Sequence, residues 1–396
     1  MRKISKLVIG NILIVLLLNM VLISSSSSPE SSQILILEEI GQFNDGGMAV
    51  EVLVVGDLAY VAEFDNGLEI LNVSNPSNII KLSQNTITMN ARGIELIGDL
   101  AYISCNTDGL KILNISDPSN PVFLKWYFDD NGGAHQFIAA GDVGYLTDWE
   151  GGLEIWNISD PTNPKCLSHY QVGGFAFSIE IVGDHAFVTT FIGGLKVLDI
   201  SDPINPTKIG EFSNGGETND IHVINDTAFV ADKLDGLEII SVTDPSHPTL
   251  VGTYNSRNTV GVQVIGDIAF LTNWDRGFEA IDIGDPTNFV KVGSHYDGGK
   301  PNGFQIVDNL AYVADGEDGL EIIEIREGEA TTTPGSSTTT TPGSSTTTTP
   351  GSSTTTTPGS ELPIAIFGLV SVLTINRLRK RRIRKDNGEI CFEKHR

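Results

Sequence analysis

The stretch "GGLEIWNISDPTNP", from Gly151 to Pro164, contains one short apolar strand between two turns. Two glycines precede the strand and Ser-Asp-Pro follows it, as is typical of tight turns. Closely similar strings occur at six other places, including "GLEILNVSNP" from Gly67 and "GLEIISVTDP" from Gly236. A unit that recurs at a fixed period indicates a repeat architecture, and its length and content indicate which one.

The repeated unit is close to 42 residues long. Its seven blocks begin at Gly56, Gly98, Gly141, Gly183, Asn225, Gly266 and Asp308, with spacings of 42, 43, 42, 42, 41 and 42 residues. In the second block the pattern predicts four short strands, at Gly93–Ile97, Ala101–Ser104, Leu110–Ile115 and Val122–Trp126. Four antiparallel strands in a unit of this length are typical of one β-propeller blade.

The apolar pattern and the chain ends indicate a closed ring. In "LKILNI", from Leu110, both strand faces carry apolar residues, as expected where a blade packs between two neighbours. The last block stops after its third strand, at Ile325, and a spare strand, Ile34 to Phe43, precedes the first block. We therefore expect an all-β, seven-bladed propeller with four-stranded antiparallel blades over residues 33–328, closed by the N-terminal strand.

The repeat also resembles a known family. The strings "GDxAYVA", "GLxIxDISDPxxP" and "LVGxY" are similar to those of the LVIVD-repeat family, and the resemblance covers residues 34–325. It implies β-propeller repeats of a kind found mostly in secreted and surface proteins of bacteria and archaea. It implies no catalytic motif that can be placed on these residues.

Charge is distributed unevenly along the chain. The net charge is −25, but residues 1–32 and 376–396 are basic, so the segment between them, with 13 bases and 46 acids, has a net charge of −33. Such a body repels nucleic acid and anionic membranes, so we expect no nucleic-acid partner. The three cysteines are too few for a disulfide framework or a zinc cluster.

The N-terminus has the pattern of an export signal. A basic start, "MRKISK", precedes an apolar run and then five serines, which predicts a signal peptide over residues 1–28. The apolar run is long and contains Asn11 and Asn19, so an uncleaved membrane anchor is the alternative.

The C-terminus has the pattern of a surface anchor. Residues 329–360 repeat "TTTTPGSS", which has no side chain able to form a core and predicts an extended, O-glycosylated stalk. Residues 361–379 predict a transmembrane helix or, because the apolar core is short, a processed sorting signal. Residues 380–396 are basic and predict a cytoplasmic tail, with the propeller outside the cell.

Four Asn-X-Ser/Thr sequons occur, at Asn72, Asn114, Asn157 and Asn225. The first three occupy one column of the repeat, where other blocks place Asp199, Ser241, Asp282 and Glu324. A polar group at this position therefore serves the turn, and these sequons are partly a by-product of the repeat. Asn225 replaces a hairpin glycine at an exposed tip and is the best glycosylation candidate.

The loops that vary most between blocks are the expected ligand site. They enter each first strand and join second to third strands, and their candidate ligand-binding residues are Phe64, His135, Asp148, Trp149, Trp274 and Arg276. The two tryptophans occupy matching loops and could stack on a sugar or grip a peptide. The alternative is that they only pack against neighbouring blades.

Metal binding and catalysis have weaker support. Carboxylates recur once per blade between second and third strands, at Asp65, Asp108, Glu150, Asp235, Asp275 and Asp318, but no loop resembles a calcium loop. We expect no cofactor, with calcium as the alternative. Because the first strands begin with few acid–base groups, a non-enzymatic role is favoured unless three or more His, Asp or Glu converge at the axis.

These patterns together predict a monomeric cell-surface module that binds an extracellular protein or glycan and is attached to the membrane through its C-terminal helix. The alternatives are an extracellular metal-dependent hydrolase or lyase with its site at the channel mouth, and a structural component of the cell envelope.

Overall fold

A computed structural model describes residues 34–127 and 132–328. The expected signal peptide, stalk, C-terminal apolar segment and basic tail lie outside the described residues. In the two described ranges, no helix is both long enough and apolar enough to cross a bilayer.

The described chain consists of 28 strands and two short 3₁₀ turns, Pro76–Asn78 and Thr86–Thr88. The innermost strands of the seven blades are β2 (Ala49–Val55), β6 (Gly93–Ile97), β10 (Ala134–Ala140), β14 (Ala176–Val182), β18 (Thr218–Ile224), β22 (Thr259–Ile265) and β26 (Phe304–Val307). The second strands are β3 (Leu58–Glu63), β7 (Leu100–Ser104), β11 (Val143–Asp148), β15 (His185–Thr190), β19 (Thr227–Asp232), β23 (Ile268–Asn273) and β27 (Leu310–Ala314).

The outer half of each blade completes the sheet. The third strands are β4 (Gly67–Asn72), β8 (Leu110–Asn114), β12 (Gly152–Asn157), β16 (Gly194–Asp199), β20 (Gly236–Ser241), β24 (Gly277–Asp282) and β28 (Leu320–Glu327). The outermost strands are β5 (Ile80–Asn85), β9 (Val122–Tyr127), β13 (Lys165–Tyr170), β17 (Thr207–Phe212), β21 (Thr249–Tyr254), β25 (Val290–His295) and β1 (Leu35–Phe43).

Seven four-stranded antiparallel sheets form the blades, which confirms the predicted all-β propeller. Six sheets use four consecutive strands, and we number these blades one to six from the N-terminus. Blade seven has the order β1-β28-β27-β26, so its outermost strand comes from the start of the described chain. The β1–β28 register runs from Leu35 opposite Glu327 to Phe43 opposite Leu320, with a bulge between Glu39 and Gly41.

Apolar packing lies between the blades. Each innermost strand contacts that of the next blade, and β26 contacts β2, which closes the ring. The buried apolar residues form seven clusters, each drawing on two neighbouring blades; Tyr60 of blade one and Ile103 of blade two share one, for example. Both faces of each middle strand are therefore buried, as the "LKILNI" pattern predicted.

The Ser-Asp-Pro turns also form as predicted. In each, the aspartate carboxylate accepts a hydrogen bond from the backbone N–H two residues later, as Asp117 does from Ser119 at 3.0 Å and Asp202 from Ile204 at 3.1 Å. These bonds organise the turn from the third strand to the outermost strand of the blade.

A second set of hydrogen bonds joins neighbouring blades at the axis. Every innermost strand has an edge without a partner strand, and its N–H groups need acceptors. At six of the seven junctions a side chain of one blade accepts an N–H of the next, over 2.5–3.2 Å. The pairs are Glu95 with Ala139, Gln136 with Ile179, Glu180 with Val223, His222 with Val264, Gln263 with Ile306 and Gln305 with Val54.

Burial at the axis changes the acidity of these acceptors. It raises the pKa of Glu180 to about 8 and that of Glu95 to about 7, although the N–H bonds oppose the shift. It lowers the pKa of His222, whose Nδ1 is the acceptor. A carboxyl with a raised folded-state pKa stabilises the fold below its unfolded pKa, and this contribution is lost as pH rises through the folded pKa.

The propeller is therefore expected to lose stability between pH 5 and pH 8. Replacing Glu180 with Gln keeps the acceptor and removes the titration, so it should stabilise the protein at pH 8 by on the order of 1 kcal/mol. Thermal unfolding at both pH values measures the difference. The reciprocal control, Gln263→Glu, should be nearly neutral at pH 5 and destabilising at pH 8. Equal effects of either substitution at the two pH values would contradict this assignment.

Candidate functional site

A cavity of about 340 Å³ lies where the seven innermost strands begin, at one mouth of the central channel. All seven blades contribute to its wall through the first residues of these strands. Loops between second and third strands add Trp149, Phe191, Lys233 and Trp274. The cavity therefore combines a fixed ring of strand ends with side chains from the loops that differ between repeats.

One side of the cavity is aromatic. The Trp149 ring lies 6.1 Å from that of Phe177 and 6.2 Å from that of Phe191, and His135 packs on Phe177 with ring centroids 3.6 Å apart. Trp149 has a φ of 21°, outside the regions that bulky residues favour. Backbone strain of this kind is concentrated at functional sites.

Two cations lie against aromatic faces at the mouth. The Lys233 ammonium is 4.4 Å from the Trp274 ring centroid and 5.2 Å from that of Phe191. The Arg92 guanidinium lies 5.0 Å from the ring centroid of Phe64. Burial lowers the pKa of both cations. Among the described residues, no carboxylate oxygen lies within 4.0 Å of either one.

Burial shifts the pKa values of the ionisable groups deeper in the cavity towards their uncharged forms. Burial and the charge of Asp220 raise the pKa of Glu51 to about 8, and burial raises the pKa of Asp220. Burial and the charge of Arg92 lower the pKa of His135 to about 3. Asp220 is held by hydrogen bonds from the Ser178 hydroxyl and the Val262 N–H, both at 3.0 Å. The mouth thus holds two cations without an ion-pair partner beside groups whose charged forms are disfavoured by burial.

Comparison with known proteins identifies the repeat. The LVIVD repeat family model matches seven consecutive stretches, at residues 46–86, 90–129, 131–172, 173–213, 215–256, 256–297 and 298–331. The chain belongs to the LVIVD repeat family. No curated protein matches it.

Solved structures resemble the LVIVD propeller in fold. One is the crystal structure of the computationally designed Ika8 protein, in crystal packing 1 in P63. It is 8% identical to this chain, with a TM-score of 0.53, and the match covers 72% of this chain and 99% of the designed one. At this identity the likeness concerns the fold alone.

The LVIVD propeller brings four of the six predicted ligand-binding residues to the mouth. Trp149, Trp274 and His135 line the cavity, and Phe64 supports Arg92. The tryptophans also contact neighbouring blades, since Trp149 packs on Phe175, 5.5 Å away, and the Trp274 indole N–H donates to the Asn302 side chain at 3.2 Å. The same two indole rings therefore both pack against neighbouring blades and line the cavity.

The other two predicted residues lie away from the cavity wall. Asp148 is buried at the end of β11, and Arg276 is exposed, with its guanidinium 3.4 Å from the Ser256 hydroxyl. Asp148 ends the second strand of its blade and Arg276 follows that of another, but their side chains are not among those that line the mouth.

Sequence reasoning missed the charged residues of the mouth. Glu51 and Asp220 lie two positions after the start of their strands, Arg92 directly precedes β6, and Lys233 directly follows β19. Asp220 is close enough to Glu51 and Glu180 to raise the pKa of each. An alignment of the seven repeats at these positions would have shown several charged residues near the axis. The residues at which the innermost strands begin are, by contrast, mostly small or apolar.

The loop carboxylates predicted as alternative calcium ligands do not assemble into a site. Within the described residues, two groups of three carboxylates converge, Asp45 with Glu63 and Glu69, and Asp297 with Asp315 and Glu321. Neither group includes Asp65, Asp108, Glu150, Asp235, Asp275 or Asp318.

Three of the four sequons are part of turns. The side chains of Asn72, Asn114 and Asn157 accept hydrogen bonds from the N–H two residues later, at 3.1, 2.9 and 2.9 Å, and Asp199 makes the same bond at 2.9 Å. Asn225 is exposed and has a φ of 54°, as the hairpin tip requires. The shared turn hydrogen bond agrees with a structural origin for the repeat position of Asn72, Asn114 and Asn157. Asn225 remains the preferred glycosylation candidate.

The turn role of this column can be separated from glycosylation. Asn157→Asp removes the sequon but keeps the acceptor found at Asp199, so stability should be unchanged. Asn157→Ala removes both and should destabilise the protein by about 1 kcal/mol. Chemical denaturation of unglycosylated protein measures the two. An equal loss of stability in both variants would show that the hydrogen bond does not explain why a polar residue recurs at this position of the repeat.

Proposed function

We propose that this chain is a surface-displayed binding module whose channel mouth holds an acidic sugar of an extracellular glycan. The observation that carries the proposal is the pairing of Arg92 and Lys233 with aromatic rings in one cavity. Among the described residues no carboxylate oxygen lies within 4.0 Å of either cation, so a ligand anion can pair with them. The site thus selects for negative charge within a body of net charge −33.

The chemistry of the cavity suits a sugar ring. Tryptophan presents a flat apolar face with a polar edge, on which the C–H face of a pyranose can stack. The protonated Glu51 carboxyl can donate a hydrogen bond to a hydroxyl, and His135 and Asn302 add polar groups. A volume of about 340 Å³ is at the small end of ligand pockets, which favours one terminal sugar over a long chain.

The sequence outside the propeller supports display at the cell surface. The expected signal peptide exports the chain, and the apolar segment at 361–379 holds it in the membrane or marks it for another anchor. Between them the stalk, about 30 residues at roughly 3 Å each, could place the mouth some 90 Å from the membrane. A single propeller has all its blade faces covered within the ring, which is consistent with a monomer.

An extracellular hydrolase or lyase is the second candidate. Glu51 and Asp220 line the cavity and Glu180 lies near Asp220, so the three acidic groups at the axis that would favour an enzyme are present. Two of the three, Asp220 and Glu180, already accept backbone N–H bonds that join blades. That structural use favours binding over catalysis at this site.

The proposal predicts selective loss of glycan binding from mouth variants. The full-length protein should bind glycans ending in a uronic or sialic acid, and Lys233→Met or Trp274→Ala should weaken this about tenfold or more because each removes part of the cation–aromatic pair. Array binding followed by calorimetry measures the affinities. Trp126→Ala, on the exposed face of β9, is the matched control and should bind normally.

Three other results would exclude this function. Equal binding of neutral and acidic sugars would show that the cations do not recognise the ligand. Binding only to proteins or peptides would favour an adhesion partner of a different class. Release of shortened sugars, lost in Glu51→Gln, would identify the chain as an enzyme.

A further inference from the structure

Three carboxylates converge in blade seven, and none of them lines the cavity at the channel mouth. Asp297 lies in the loop before β26, Asp315 follows β27, and Glu321 lies on β28, with one oxygen of each within 4.8 Å of the others. Asp315 and Glu321 are both only 2% exposed, whereas Asp297 is open to solvent. Three acids in such a position require compensation.

Blade one contains the same arrangement with its compensation in place. Asp45, Glu63 and Glu69 occupy the equivalent positions, and Lys81 enters the group from the outermost strand. Its ammonium lies 2.9 Å from a Glu69 oxygen and forms a second ion pair with Asp45. Gln84 donates to Glu63 at 2.9 Å. A lysine thus offsets part of the charge of this cluster.

Blade seven has an acid where blade one has that lysine. In blade one, Lys81 pairs with Leu71, two positions after Glu69. In blade seven, Glu39 pairs with Ile323, two positions after Glu321. Within the described residues no lysine or arginine lies within 4.0 Å of the three carboxylates; the nearby His295 has its Nε2 4.0 Å from Glu39.

The buried oxygens of this cluster lack partners. Oδ1 of Asp315 and Oε1 of Glu321 are inaccessible and accept no hydrogen bond. Burial and the neighbouring carboxylates, Glu39 included, raise the pKa of Glu321, and burial raises that of Asp315. A Cβ at Gly299 would collide with the Asp315 carboxylate, so the loop closes directly over it.

We propose that Asp297, Asp315 and Glu321 bind one Ca²⁺ ion, with Glu39 adding negative charge from the N-terminal strand. Calcium prefers carboxylate oxygens, tolerates irregular geometry and forms bonds of about 2.4 Å, which matches oxygens spread over at most 4.8 Å. The exposed Asp297 provides the entrance. The alternative is a proton shared between Asp297 and Glu321, whose carboxyls are within hydrogen-bonding reach.

Such an ion would strengthen the closure of the ring. Glu39 belongs to β1, whereas the three ligands come from the last blade, more than 250 residues later in the chain. Bound calcium would therefore favour docking of β1 on β28, in addition to the ladder and to the ion pairs of Arg326 with Glu38 and Glu324.

Calcium titration of the full-length protein, stripped with a chelator, tests the proposal. Calorimetry should show one ion per chain, with a Kd on the order of 10⁻⁴ M, and calcium should raise the melting temperature. Glu39→Lys copies the blade-one arrangement and should weaken binding about tenfold or more without unfolding the protein. Lys81→Glu should create a second site in blade one.

A further variant and two possible outcomes distinguish a bound calcium ion from a proton shared between Asp297 and Glu321. Glu321→Gln, which keeps the side-chain shape, should also weaken binding about tenfold or more, and it decides the matter if Glu39→Lys does not fold. No binding at millimolar calcium would overturn the proposal and favour the shared proton. Binding that persists in both variants would place the ion elsewhere and overturn it equally.

Discussion

The propeller depends on how the inner edges of its blades are satisfied. Each of the seven innermost strands has one edge, facing the axis, without a partner strand, and the N–H groups of that edge cannot remain unpaired. Side chains such as Glu180 and Gln305 accept these groups from the next blade, over 2.5 Å in each case. The apolar clusters pack the blades face to face, whereas these hydrogen bonds fix the position of each blade relative to the next.

This constraint also determines where function can vary. On the innermost strands, the residue that joins one blade to the next must supply a hydrogen-bond acceptor, and Glu, Gln and His all do so. In the Ser-Asp-Pro turns, the aspartate carboxylate must be kept. At the mouth, Arg92 and Lys233 carry neither duty, and they differ from their counterparts in other blades. A repeated frame thus presents a mouth whose lining differs around the ring and includes two cations within an acidic body.

The sequence predicted the fold well because every blade repeats the same local signals. The predicted second block agrees with β6 to β9 within one residue at each strand end, since each strand ends at a glycine or proline turn. The binding site was only partly predictable. Trp149 and Trp274 were visible as departures from the repeat, but Arg92 reaches the mouth only because strands from distant blades begin at one point. The acid cluster of blade seven was hidden for the same reason, because Glu39 and Glu321 meet only when the ring closes.

The location of a bound acidic sugar tests the central claim most directly. A crystal structure of the protein with a uronic acid-containing oligosaccharide should show one ring stacked at about 4 Å on Trp149 or Trp274. The carboxylate of that sugar should lie about 3 Å from the Lys233 ammonium or the Arg92 guanidinium. A sugar bound on the outer strands, or a saturated protein whose mouth remains free, would contradict the account.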